Sequence, residues 1–156
     1  MANDEDLDAL LAEEERLQFD RFDNDTALAL GMLLLERAQA RKLPVAIDVT
    51  RGEQQLFHAG LAGSSADNDV WVQRKARVVR RFGHSSWYIG CLARAKGYDF
   101  HAKFLLEPSQ FAPSGGAFPA LIRGTGLVGT IAVSGLPQRE DHLFLVEVIG
   151  EFLGHQ

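Results

Sequence analysis

Apolar residues recur at helical spacing in five stretches of the chain, with shorter apolar runs between them. The helical spacing predicts helices at about 4–17, 25–42, 66–82, 86–96 and 138–153. Two pairs of short runs, each pair joined by a glycine-containing turn, predict two hairpins, with strands at 45–49, 54–61, 118–123 and 127–133. Because hairpins pair antiparallel, the order favours an α+β fold over a parallel, doubly wound sheet.

Polar residues mark the expected ends of the helices. Asn24 or Asp25 can cap the second helix, and Ser85 or Ser86 can cap the fourth. Residues 107–116 include two prolines and two glycines, which predicts a long loop of the kind that is usually functional in a compact domain.

Composition narrows the protein class. The chain has 156 residues, 46% hydrophobic and 24% charged, which predicts one domain over 1–156 and excludes intrinsic disorder. Its single cysteine, Cys91, excludes a disulfide framework within the chain. No apolar run approaches the roughly 20 residues that span a bilayer, and the acidic N-terminus is unlike a signal peptide. We therefore expect a cytoplasmic protein that does not bind membranes.

Acidic residues are concentrated at the N-terminus. Residues 1–25 carry ten acids against Arg16 and Arg21, a net charge of −8, whereas residues 26–156 carry a net charge of +3. The first helix is therefore expected to be acidic. The whole chain has a net charge of −5, so DNA or RNA phosphates would repel it unless its bases lie on one face. No aromatic residue lies among the arginines of the third helix for bases to stack on, and we expect no nucleic-acid partner.

The third predicted helix has an arginine face and an apolar face. On a helical wheel, Arg74, Arg77, Arg80 and Arg81 fall within about 120° of one another. These arginines are compatible either with an exposed charged surface or with an anion site, because guanidinium binds carboxylate and phosphate groups bidentately. Lys75 falls in the apolar arc, where it must reach solvent, pair with an acid or contact a ligand.

The last predicted helix is apolar over most of its circumference. Only Glu140, Glu147 and Glu151 form a polar stripe along it. Such a helix is buried on two sides, either within the monomer or against another subunit.

The histidines show no metal-binding spacing, and we predict no metal site. His84, His101 and His142 could still form a site after folding. The remaining two are His58 and His155.

Two segments carry a resemblance to a known family. The first is Lys-Ala-Arg-Val-Val-Arg-Arg-Phe-Gly-His-Ser-Ser at 75–86. The second is Gly-Gly-Ala-Phe-Pro at 115–119, followed by Gly-Thr-Ile-Ala-Val-Ser-Gly at 129–135 and by Asp141. Together they resemble the GlcG/HbpS-like, or haem-degrading domain, family. Asp-Asn-Asp at 67–69 and Ser-Gly-Leu-Pro-Gln at 134–138 are similar to its branch called uncharacterised protein family 0303.

This resemblance implies a profilin-like fold, in which a five-stranded antiparallel sheet lies between helical layers in an α/β/α sandwich. It places the fifth strand at 103–106 and implies a homo-oligomer. Some members bind haem and degrade it oxidatively, so haem is the cofactor that the resemblance implies. The residues themselves identify no cofactor.

A pocket is expected where the basic helix, the Gly-Gly loop and the start of the last helix meet. Glycines allow a ligand to approach the backbone closely, and a helix start exposes unpaired N–H groups. The predicted ligand is a small anion. The residues expected to bind it are Asp67, Asn68, Lys75, Arg77, Arg80, Arg81, His84, Ser85, Ser86, Gly115, Gly116, Ser134 and Gly135.

Two alternatives remain open from the sequence. The chain could be an enzyme that degrades haem oxidatively or handles a small redox substrate, with His84 or His142 in an acid–base or axial role. It could instead be an interaction scaffold whose arginine face docks an acidic partner or its own N-terminal residues 1–25. Whether a reaction is catalysed is not determined by the sequence.

Overall fold

Four antiparallel strands form one sheet in the computed structural model, which describes residues 6–154. The strands are β1 (Ala46–Arg51), β2 (Gln54–Gly60), β3 (Ala117–Ile122) and β4 (Gly126–Ser134), in the order β2-β1-β4-β3. Each predicted hairpin is confirmed, and the inner strands β1 and β4 join the two hairpins by pairing Ala46 with Ser134 and Arg51 with Gly129. The α+β class predicted from the hairpins is therefore confirmed.

Six helices lie within the described residues. They are α1 (Leu7–Arg16), α2 (Asn24–Ala40), α3 (Ala66–Phe82), α4 (Ser86–Lys96), α5 (Phe100–Phe104) and α6 (Gln138–Gly154). Five of the six were predicted, and residues 4 and 5 of the predicted first helix lie outside the described residues. None of the described helices has both the length and the apolar character needed to cross a membrane.

Side-chain caps begin both α2 and α4. Asp23, rather than Asn24 or Asp25, caps α2, because its Oδ1 accepts the Thr26 N–H at 2.8 Å. Ser85 caps α4, and its Oγ accepts the Tyr88 N–H at 3.0 Å.

The larger part of the core lies on one face of the sheet, under α2 and α6. Ile47 and Val49, which alternate along β1, point to this side and are fully buried. Leu30 of α2 and Leu145 of α6 pack against them. Helix α6 also contacts α2, and most of its apolar residues are buried within the chain, whereas Leu143 is 41% exposed.

The opposite face of the sheet is covered by α3. Small residues there, Ala46, Ala117 and Ala132, allow Val72 and Val79 of α3 to approach the strands closely. The sheet therefore lies between helical layers, as the resemblance implied, and α3 brings its N-terminal turn toward the end of β4.

The fifth strand expected at 103–106 is wrong. Residues 100–104 form α5 instead, which Asp99 caps by accepting the Ala102 N–H at 2.9 Å. Phe100 and Phe104 lie one helical turn apart, and both rings pack on Phe82. This local aromatic packing favours a helix, so the sheet has four strands within the described residues.

Candidate functional site

A cavity of about 360 Å³ opens between the first turn of α3, the loop before β3 and the turn between β4 and α6. The residues lining it are Asp67, Asn68, Trp71, Lys75, Ser114, Gly115, Ser134, Gly135, Leu136, Gln138 and Asp141. Six of the predicted ligand-binding residues are among them, and they come from the three segments that were predicted to meet.

Lys75 crosses from α3 to the floor of this cavity, and its side chain is only 3% exposed. Its Nζ donates to the carbonyl oxygens of Gly115 (3.0 Å) and Val133 (2.6 Å) and to Asp141 Oδ2 (3.3 Å). The three ammonium protons therefore each have an acceptor. A lysine in the apolar arc was expected to reach solvent, pair with an acid or contact a ligand. The structure shows that Lys75 pairs with an acid.

Asp141 completes the buried ion pair and also orders the start of α6. Its Oδ1 accepts the Leu136 N–H at 3.1 Å. Burial raises the pKa of Asp141 to about 6, although Lys75 and the nearby backbone N–H groups oppose the rise. Burial lowers the pKa of Lys75, with Asp141 opposing this shift. The two charges largely cancel each other at neutral pH, so the pair contributes little net charge to the cavity.

Two helix N-termini line the cavity together. Asn68 lies in the first turn of α3, where its Oδ1 accepts the Ser65 N–H at 2.8 Å. Gln138 is the first residue of α6, and Leu136 lies two positions before it. Since the first N–H groups of a helix have no intrahelical acceptor and the N-terminus carries partial positive charge, both helices favour an anion here. Ser134 is the last residue of β4 and lies four positions before α6, so it does not cap that helix.

The Gly-Gly loop lies directly against α6 and Lys75. The Gly115 N–H donates to Gln138 Oε1 at 3.0 Å. A Cβ atom at Gly115 would lie 2.2 Å from the Gln138 carbonyl oxygen. Gly116 has a φ of +130°, and a Cβ there would lie 2.2 Å from Lys75 Nζ. The lack of a side chain at Gly116 therefore leaves room for Lys75 Nζ. Gly116 is not among the cavity-lining residues within the described part of the chain.

The arginines of α3 do not line this cavity, as far as the described residues show. Arg77 donates to the Gln110 carbonyl at 3.2 Å, and Arg74 donates to the Pro108 carbonyl at 3.0 Å. Arg80 lies 3.5 Å from Thr50 Oγ1, and Arg81 is exposed. The predicted pocket therefore has its glycine loop and helix starts but not its guanidinium groups, because the arginine face of α3 points away toward the loop at 107–111 and the sheet.

His84, Ser85 and Ser86 also lie outside the cavity, and their contacts hold elements together. His84 Nδ1 and the Ser85 N–H lie 2.7 and 2.9 Å from the two carboxylate oxygens of Glu14. This contact with Glu14 raises the pKa of His84. Ser86 Oγ accepts the Ala117 N–H at 3.0 Å and so joins α4 to β3.

His142 of α6 is buried, and it is the second histidine that contacts α1. Its Nε2 lies 2.8 Å from Glu13 Oε1, and its Nδ1 has no hydrogen-bond partner among the described residues. His101 lies elsewhere, with its Nε2 2.8 Å from the Phe111 carbonyl oxygen. The three histidines are therefore not gathered into one site. Residues 6–154 contain no cluster of three or more potential metal ligands, and His155 lies outside them.

The acidic N-terminal segment docks on α4 rather than on the arginine face. Leu10 of α1 packs with Trp87 and Cys91 of α4. Glu13 and Glu14 pair with His142 and His84, as described above. The described contacts of α1 are therefore with α4, His84 and α6, and residues 1–5 lie outside the described residues.

Several lining residues were not among the predicted site residues. Gln138 belonged to a string that carried the family resemblance, so a signal for it was present. Trp71 lines the cavity, and the Arg74 guanidinium lies 4.2 Å from its ring centroid. Leu136 belongs to the same string as Gln138, whereas Ser114 carried no comparable signal.

Comparison with known proteins places the chain in a family. Residues 22–149 match the family described as haem degrading protein HbpS-like. A UPF0303 protein from Streptomyces avermitilis is 52% identical over 144 residues, which are 92% of this chain and 88% of that protein. The chain belongs to the HbpS-like family, in its UPF0303 branch. A UPF0303 protein from Streptomyces coelicolor is likewise 52% identical, over 91% of this chain and 90% of its own length.

A solved structure also shares this fold. The crystal structure of Ybr137w protein has 33% identity and a TM-score of 0.87, and the match covers 96% of this UPF0303 chain and 88% of that chain.

Haem, the group that the family description names, does not fit the cavity of this UPF0303 chain. Iron in haem proteins is held by histidine, cysteine, methionine or tyrosine side chains. None of these residue types lines the cavity within the described residues. Its floor is the Lys75–Asp141 ion pair, which is a poor match for the flat apolar face of a porphyrin. We therefore derive no chemistry through haem at this site.

Proposed function

We propose that this UPF0303 protein binds a small anion, such as a short carboxylate or a phosphate, in the cavity between α3 and α6. The convergence of two helix N-termini on one cavity carries this proposal. N–H groups at helix starts and the positive ends of two helix dipoles bind anions without a dedicated cationic side chain. Asn68, Ser114 and Ser134 supply further hydrogen-bond donors around the same space.

The charges in the lining are compatible with an anion. Asp141 is compensated by Lys75 at 3.3 Å. The Asp67 carboxylate would repel a bound anion, but its side chain is exposed, so solvent and salt screen its charge. Both carboxylates also lie in the first turn of a helix, where the dipole offsets their charge. The helix starts are therefore expected to dominate the local field.

The test is calorimetry and thermal shift with a panel of short carboxylates and phosphates on the full chain. Asn68→Asp adds one negative charge without changing the side-chain shape, and the new carboxylate can still accept the Ser65 N–H. We expect it to weaken anion binding about tenfold, since one charge at close range in a partly screened site costs on the order of 1.4 kcal/mol. Asn24→Asp is the matched control, because Asn24 begins α2 and lies outside the cavity.

The arginines provide a second control. Replacing Arg77 and Arg80 together by alanine is expected to leave the anion affinity within about twofold of wild type, because neither lines the cavity. Three results would contradict the proposal: no anion in the panel binds, Asn68→Asp and Asn24→Asp weaken binding equally, or loss of the two arginines abolishes binding.

A further inference from the structure

Two amide side chains of the cavity are oriented as hydrogen-bond donors. Asn68 Oδ1 accepts the Ser65 N–H at 2.8 Å, and Gln138 Oε1 accepts the Gly115 N–H at 3.0 Å. Because backbone N–H groups occupy the two amide oxygens, the NH₂ groups are the parts left for other partners. Neither NH₂ group has a hydrogen-bond partner within residues 6–154. Both amides therefore present N–H donors to a molecule in the cavity.

A buried serine hydroxyl faces the same space. Ser134 lines the cavity and is only 5% exposed. It follows Ala132 by two residues, so its side chain lies on the face of the sheet that packs against α3. Its hydroxyl has no hydrogen-bond partner among the described residues. Buried hydroxyls are usually hydrogen-bonded, and a carboxylate in the cavity supplies the acceptor that this one requires.

The charges that line the cavity leave one carboxylate unpaired. Lys75 and Asp141 pair with each other at 3.3 Å on the floor. Asp67 is exposed, and its side chain has no ion-pair or hydrogen-bond partner in the described part of the chain. A phosphate group carries close to two negative charges at neutral pH and would meet this carboxylate without a free cation in the described lining. An ammonium group beside Asp67 balances the charge instead.

We propose that the anion bound in this cavity is the carboxylate of a free amino acid, whose ammonium group lies against Asp67. This inference rests on the proposed function and narrows it to one class of ligand. The carboxylate accepts hydrogen bonds from the two amides and from Ser134, at the positive ends of two helices. Trp71 and Leu136 provide apolar contacts for the carbon chain. The volume of about 360 Å³ is in the range of small-molecule sites.

The first experiment compares amino acids with the same acids lacking the amine, by isothermal titration calorimetry at pH 7 on the full chain. The probes are alanine and β-alanine against propionate, and 4-aminobutyrate against butyrate. At least one amino acid is expected to bind about threefold to tenfold more tightly than its matched acid, because Asp67 attracts the ammonium group and repels the simple acid. Asp67→Asn is expected to reduce this preference to within about twofold.

Asp69→Asn is the matched control for the ammonium contact. Asp69 also lies in the first turn of α3, so its replacement removes the same charge from the helix start. However, Asp69 pairs with His58 and is not among the residues lining the cavity in the described chain. Asp69→Asn is therefore expected to keep the preference of wild type.

The second experiment tests the carboxylate end of the ligand. Ser134→Ala is expected to weaken the binding of an amino acid and of its matched acid by the same factor, about threefold to tenfold. Ser109→Ala is the control, because Ser109 is exposed and lies outside the cavity. It is expected to leave both affinities unchanged. Circular dichroism confirms that all four variants remain folded.

The outcomes separate this inference from the proposed function. Equal binding of every amino acid and its matched acid would overturn the amino-acid assignment and leave the anion site standing. Equal loss of the preference in Asp67→Asn and Asp69→Asn would do the same. Binding of neither the acids nor the amino acids would overturn both proposals. Ethylamine, which is alanine without its carboxylate, would also overturn both if it bound as tightly as alanine.

Discussion

Lys75 shows what a single buried charge does in this molecule. Its ammonium group joins α3 to the Gly115 carbonyl, to the Val133 carbonyl at the end of β4, and to Asp141 on α6. Removing one partner of a buried pair leaves the other uncompensated and costs several kcal/mol. Lys75 therefore holds together the three segments that surround the cavity. Because its own protons are all used, the hydrogen-bond donors available to a ligand come from neighbouring groups.

The backbone at Gly116 is the most sensitive part of this arrangement. Gly116→Ala would place a Cβ 2.5 Å from the Val133 carbonyl oxygen and 2.2 Å from Lys75 Nζ, at a φ of +130°. We expect it to lower the free energy of unfolding by about 3 kcal/mol in a urea titration. Gly124→Ala is the control, since Gly124 also has a positive φ (+78°) but nothing within 4 Å of the added Cβ. It should cost only about 1 kcal/mol, and equal losses for both variants would refute the contact argument.

At the scale of elements, α1 is attached by two histidine–glutamate pairs and a small apolar contact. The His84–Glu14 pair is partly exposed, with 41% of the His84 side chain accessible. Because Glu14 raises the pKa of His84 above its usual value, the stabilisation from the pair is complete below about pH 6.5. It is lost as the pH rises through the folded-state pKa.

We therefore predict that α1 is held more weakly at pH 8 than at pH 6. The expected change is about 0.5 kcal/mol, as for other solvent-screened pairs, measured by hydrogen exchange of the α1 amides relative to those of β4. His84→Gln should remove this pH dependence. His58→Gln should not, because His58 pairs with Asp69 between β2 and α3. A pH dependence that survives in His84→Gln would contradict this assignment.

Element types were largely predictable from the sequence, and the exceptions have local causes. Long periodic stretches gave α2, α3 and α6, because an apolar stripe at helical spacing must be buried against something. The strand expected at 103–106 was wrong, since the Asp99 cap and the two phenylalanines around Phe82 favour the helix α5 over the strand that the resemblance implied. Lys75 was identified as exceptional from its place on the helical wheel, but its partner Asp141 lies 66 positions away and required the fold.

At the scale of the whole molecule, both helical layers share the same four strands. β1 and β4 contribute alternate residues to the core under α2 and α6 and to the core under α3. Loss of either layer would expose one face of these strands. Because both helical layers pack on the same strands, the prediction of a single domain over 1–156 can be tested by asking whether the two layers unfold together.

We predict one cooperative unfolding transition. Trp71 and Trp87 both lie on the α3–α4 side of the sheet, so their fluorescence reports that layer. Far-ultraviolet circular dichroism reports all helices. At one fixed protein concentration, the two midpoints in urea are expected to coincide within error. A fluorescence transition at lower urea than the circular dichroism transition would show that the α3–α4 layer unfolds separately.

The sequence by itself determined five of the six helices, the two hairpins, the acidic N-terminal segment and which three segments of the chain meet at the cavity. These follow from local periodicity, turn residues and short strings. Only the tertiary structure decided which polar side chains meet in that cavity. An arginine face points wherever its helix is rotated by packing, and the burial of Val72 and Val79 against small sheet residues turned Lys75 inward and the arginines toward the 107–111 loop.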